Sequence, residues 1–160
     1  MNKTEIRSDI KKAKTLSDDE AIDVLWEALT NMATLLNDKK EQHNVVTLLD
    51  AIQEEDVRPI LNLGAVESLI YLDPPLETIL AGPQEGPGSE RIEKAIGIVR
   101  SSRQSDPRKA LQSLGEVLQS IRNKRAEGFQ TPSGPRASEI LSSARVIVLA
   151  LCNSAIKIIK

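Results

Sequence analysis

Aromatic residues are scarce in this 160-residue chain, which holds only Trp26, Tyr71 and Phe129. Strands lean on aromatic and β-branched side chains, so the scarcity favours helices. It also weakens any recognition scheme in which nucleobases stack on exposed rings. Cysteine occurs once, as Cys152, which excludes an intrachain disulfide and a multi-cysteine metal site. The only imidazole, His43, sits in Lys39-Lys40-Glu41-Gln42-His43-Asn44 with no second ligand at metal spacing, and reads as a surface residue. No metal and no cofactor is expected. The longest purely apolar run, Val146 to Cys152, is far too short to span a bilayer, and no signal-like apolar stretch opens the chain. These absences predict a cytoplasmic protein that does not engage a membrane.

What is present is helical periodicity. Ile6 and Ile10 share a face in a short polar segment, about residues 4–14. Ser17-Asp18-Asp19-Glu20 forms a capping box with acids in its first turn, followed by a Leu25, Leu29, Met32, Leu36 stripe. Asn37-Asp38-Lys39-Lys40 interrupts that stripe, and Val45, Leu48, Leu49 and Ile52 resume it. Pro59 should open a further apolar segment, Ile60 to Leu72, which Pro74-Pro75 ends. Residues 73–88 hold four of the eight prolines and read as a linker.

Beyond it, Ser89 is expected to cap a helix carrying Ile92, Ile96 and Val99. Asp106-Pro107 starts another, with Ala110, Leu111, Leu114, Val117, Leu118 and Ile121 on one face and Gly128 as a stop. Pro135 begins the last, striped by Ile140, Ala144, Ile147, Leu151, Ala155 and Ile158. Val146 and Leu149 widen its apolar surface, which suits a central helix or a subunit interface. The expected fold is an all-α bundle of about five or six helices in one domain, residues 1–160. Its possible parts are an acidic region 1–72, the linker 73–88 and a region 89–160.

Charge divides along the same line. Residues 1–87 carry 8 Lys/Arg against 17 Asp/Glu, and residues 88–160 carry 13 against 6. Such polarity suggests either an anionic partner for the second half or docking of one half on the other. An acidic half that shields the basic one until a partner displaces it is a further expectation. Arg100, Arg103, Arg108 and Lys109 form a basic run that could track a phosphate backbone together with Lys124, Arg125 and Arg136. Glu54-Glu55-Asp56 reads as a solvated helix end, and Gly82 to Gly88 lacks the Lys-Ser/Thr of a phosphate loop.

The end of the 106–126 helix is the most specific stretch. At about 100° per residue, Arg122 falls just outside the apolar arc and Arg125 falls inside it. Arg125 therefore either lines a groove or interface, or is solvated because the helix frays after Ile121. Arg122-Asn123, three intervening residues, then Glu127-Gly128 resembles the signature of the HEPN family, in which His-Gly would stand at the last two positions. The amphipathic helix before it, the loop with Phe129, Pro132 and Gly134, and the apolar helix after it suit that pattern over about residues 88–160.

The resemblance implies a helical bundle that forms a symmetric homodimer through the motif-bearing helices. Two motif copies then make one cleft that cuts RNA without a metal, in toxin–antitoxin or phage-defence systems with an antitoxin or defence partner. It gives Arg122 the phosphate and Asn123 the orienting position, with Lys124, Arg125 and Arg136 on RNA. Glu127 is the departure. Histidine titrates near pH 6.5, at about the point where one group can both give and take a proton. An exposed glutamate titrates near about 4.3, is an anion at neutral pH and would repel the phosphate. The expectation is a ribonuclease-like protein with weak or lost activity. The alternatives are a non-enzymatic dimeric interaction or RNA-binding module, or an unrelated helical adaptor.

Overall fold

The stripes read from the sequence become packed helices in the computed structural model, which describes residues 2–36, 45–72, 75, 76, 87–126 and 135–159. Among the described residues eight α-helices run in order: α1 (Lys3–Lys12), α2 (Asp18–Leu36), α3 (Val45–Asp50), α4 (Glu54–Leu61), α5 (Gly64–Ile70), α6 (Pro87–Ser102), α7 (Pro107–Ala126) and α8 (Pro135–Ala155). Short 3-10 turns follow α1 (Ala13–Thr15) and α8 (Ile156–Ile158). Among the described residues there is no strand.

The count exceeds the expected five or six because residues 45–72 break twice. Gln53 and Leu63 each adopt an extended ψ near 140° (137° and 139°), which ends one short helix and lets the next begin. Pro59 does not open a helix. It lies inside α4, where its missing N–H would have bonded the carbonyl of Glu55, an exposed first-turn residue. Ser89 likewise does not cap α6. Pro87 already occupies the first helical position, and its fixed φ is preset for that role. The two strongest start signals hold: the Glu20 N–H donates to Ser17 Oγ (3.3 Å), and the Lys109 N–H donates to Asp106 Oδ1 (3.4 Å).

Helix α8 is central, packing on α2 and α5 and touching α3, α4 and α7, while α6 and α7 pair as a helical hairpin. One hydrophobic cluster runs from Ile6 in α1 to Ile159, and Leu76 in the proline-rich stretch belongs to it. After Ala155 the chain tightens into its 3-10 turn, so Ile159 takes the buried place that regular periodicity assigns to Ile158. Val146 remains 45% exposed on the outer side of α8. By length and composition alone Ser138–Ile158 could cross a membrane, yet 44% of that span is buried within this bundle.

Polar contacts join the acidic half to the basic one. Arg145 Nη1 donates to Asp18 Oδ1 (2.9 Å) and Nη2 to the Ala13 carbonyl (3.0 Å). Lys157 Nζ reaches Asp56 Oδ1 at 3.2 Å. Because α2 and α5 contribute core side chains beneath α8, the first half cannot be lifted off as a shield without opening the core. The charge polarity is in large part internal docking.

Candidate functional site

Helix α7 positions the sequence-predicted residues. Asp106 and Pro107 start it, and its Ala110-to-Ile121 stripe is fully buried against α3, α4 and α6. Gly115 permits the α3 contact: a Cβ there would stand 2.5 Å from Leu49 Cδ1, so any larger residue must push that side chain aside. The helix continues without a break to Ala126, so it does not fray after Ile121.

Arg122, one step past the buried stripe, turns toward α2. Its Nε lies 4.0 Å from Asp23 Oδ1, at the outer limit of an ion pair, and the Nε itself is buried without a hydrogen-bond acceptor. The side chain is 40% exposed. A contact this long at a half-exposed site contributes under about 1 kcal/mol, so the guanidinium is held loosely and can still fork onto an anion. Asn123 follows about 100° around the helix and is exposed. The two motif residues therefore occupy different faces of α7, and within one chain they do not converge.

Lys124 and Arg125 lie on the α7 backbone and Arg136 in the first turn of α8, with side chains outside the described part of the structure. Glu127, His43, Gly128 and Phe129 also lie outside the described residues.

Three of the four members of the basic run face groups within the molecule: two hold carbonyls at helix ends and one faces a carboxylate. Arg108 Nη1 donates to the carbonyls of Leu49 (3.1 Å), Asp50 (3.1 Å) and Ile52 (2.8 Å), and its Nη2 to Glu54 Oε2 (2.7 Å). Arg100 donates twice to the Ile70 carbonyl at the end of α5, with Nε at 2.7 Å, and lies over the Tyr71 ring. Arg103 Nη1 faces Glu67 at 3.6 Å. The last carbonyls of a helix lack internal partners and carry partial negative charge, which explains why guanidinium groups collect there. Glu54 and Asp56 are likewise paired, with Arg108 and Lys157, rather than simply solvated.

Lys109, the fourth member, faces elsewhere. It lines an open groove of about 380 Å³ between α6, α7 and α3, with Arg91 and Lys94 from α6 and Gln112 and Glu116 from α7. Sequence reasoning passed over Arg91 and Lys94, although their three-residue spacing, on the α6 face away from Ile92, Ile96 and Val99, marked them as neighbours. Arg145 was missed too, standing between Ala144 and the apolar run that starts at Val146.

Cys152 is fully buried, and its Sγ donates to the Leu25 carbonyl (3.3 Å). Burial pushes the thiol pKa well above its ordinary value of 9.0, which keeps it protonated and unreactive. Among the described residues no three His, Cys, Asp or Glu side chains stand together as metal ligands would. No protein-family model, no curated protein and no solved structure matches the chain.

Proposed function

We propose that this protein is a HEPN-type helical module of the cytoplasm that binds RNA through its phosphates at the exposed end of α7 and has lost most ribonuclease chemistry. One observation carries the reading. Arg122 is a half-exposed arginine in a loose 4.0 Å contact on a long buried helix, whereas Arg100 and Arg108 are tied to carbonyls. The separation of Arg122 from Asn123 on different faces suits a site completed by a second copy, because one chain alone does not bring them together. Glu127 in the histidine position supplies no proton at neutral pH and adds a negative charge near the phosphate. The biological setting that fits is a toxin–antitoxin or defence system, with a homodimer as the working unit.

A second reading is favoured by the internal use of Arg100, Arg103 and Arg108, which removes much of the basic track from solvent. It is a dimeric interaction module with no RNA ligand.

The test compares wild type, Arg122→Ala and Glu127→His on single-stranded and structured RNA in excess chelator, with sedimentation to give the oligomeric state. The expected result is a dimer that binds RNA in a salt-dependent way and cleaves it weakly or not at all. Arg122→Ala should bind less, and Glu127→His should cleave more. RNA affinity indifferent to both salt and Arg122→Ala would leave the interaction-module reading. A strict monomer without RNA binding would leave an unrelated adaptor.

A further inference from the structure

Most described cations of the second half are already engaged within the molecule. Arg100, Arg108 and Arg145 hold backbone carbonyls, while Arg103, Arg122 and Lys157 face Glu67, Asp23 and Asp56. Lys94 and Lys109 make no such contact among the described residues, and both line the groove between α6 and α7. Arg91, at the same groove, reaches Glu116 at 3.5 Å with a side chain 74% exposed, a pair weak enough to re-form around another anion. Among the lining side chains three cations against one carboxylate leave two positive charges on a space of about 380 Å³, a volume within the usual range for small-ligand clefts.

The same groove has an apolar side. Ala95 is buried, and Val46 and Ile98 are half-buried at its lining, while Gln112 is fixed by donating to Asp50 Oδ1 (2.8 Å). A ligand that fits both sides carries at least two negative charges at one end and a compact organic body at the other.

We propose that the α6–α7 groove binds a small phosphate ester. Arg91, Lys94 and Lys109 take its phosphoryl oxygens, and Val46, Ala95 and Ile98 take its organic part. A guanidinium forks onto two phosphate oxygens, and two ammonium groups on flexible stems close on the remainder. The site is independent of the RNA reading. Arg122 lies against α2, on a different side of α7 from Lys109, Gln112 and Glu116.

The same phosphate chemistry could also be offered by an RNA backbone, so the experiment uses three probes on the full chain: ADP, pyrophosphate and a single-stranded RNA decamer, measured by isothermal titration calorimetry. ADP should bind saturably and at least several-fold more tightly than pyrophosphate, which has no organic part. The double variant Lys94→Glu/Lys109→Glu changes only exposed residues and should lose ADP affinity at least tenfold. Lys11→Glu/Lys12→Glu, an equal charge change on α1, and Arg122→Ala should keep it. Failure of ADP to bind saturably overturns the proposal. So does pyrophosphate binding as tightly as ADP, or equal loss in the α1 control, which would mean unspecific attraction. RNA binding abolished by Lys94→Glu/Lys109→Glu without any ADP binding would assign the groove to a polymer instead and overturn it equally. Loss of RNA binding in Arg122→Ala alone bears on the RNA reading and leaves this one standing.

Discussion

Arg108 and Arg122 sit fourteen positions apart on one helix, about 21 Å along its axis, and point within about 40° of the same direction. At the N-terminal end Arg108 gives four hydrogen bonds, three of them to carbonyls around the end of α3. At the other end Arg122 has one carboxylate at 4.0 Å. The residues are chemically identical and similarly placed on the helical wheel. What separates them is whether a helix terminus with unpaired carbonyls lies within reach. An arginine becomes structural where the backbone offers acceptors, and stays available where its ion-pair partner among the described residues is a half-exposed carboxylate at 4.0 Å.

The sharpest way to break that contrast is to truncate each arginine. Arg108→Ala strands the part-buried carbonyls of Leu49 and Ile52 and should cost about 2–3 kcal/mol, lowering the melting temperature by roughly 5–10 °C. A change under about 0.5 kcal/mol by urea titration would show that water replaces the guanidinium at no cost. A smaller effect, up to about 1.4 kcal/mol per pH unit, should appear in alkali and have a different source. Burial raises the Cys152 pKa above its ordinary 9.0, so the stability tied to the neutral thiol is complete below pH 9. It is lost as pH climbs above that value, where the unfolded chain gives up its proton first. Cys152→Ala should flatten this decline. The Arg108→Ala penalty should be the same at pH 7 and pH 9.5, because a guanidinium keeps its charge past about pH 12. Smallest of all, Arg122→Ala should move stability by less than about 0.5 kcal/mol in denaturant titration. A loss comparable to that of Arg108→Ala would make Arg122 structural and remove the main support for the RNA reading.

Much of the architecture was legible because apolar stripes and caps are local signals. Ser17 and Asp106 cap as their positions require, and the buried face of α7 is the one its periodicity predicts. The breaks at Gln53 and Leu63 were not legible, since neither residue type announces an extended backbone and Pro59 pointed to the wrong boundary. The basic run was misread for a physical reason. A sequence shows charge but not which distant helix ends in carbonyls beside it, so Arg100 and Arg108 looked like surface cations until Ile70 and Leu49 were placed. Conversely, Arg91 and Lys94 are unremarkable on α6 alone and gain meaning only when α7 brings Lys109 opposite.

The first described helix also reaches the residue that follows the last 3-10 turn. Lys3 Nζ donates to the Ile159 carbonyl at 2.7 Å, although 156 positions separate the two residues. In space the path from α1 to α8 is nearly a closed loop, and the packing has little memory of where that loop is cut. The exposed turn at Gln104 and Ser105 between α6 and α7 offers another cut. A circularly permuted chain that starts there, with Lys3 and Ile159 joined by a few added residues, would keep the helix neighbours of the original order. It would also free the start of α7 and the mouth of its groove for a fused reporter.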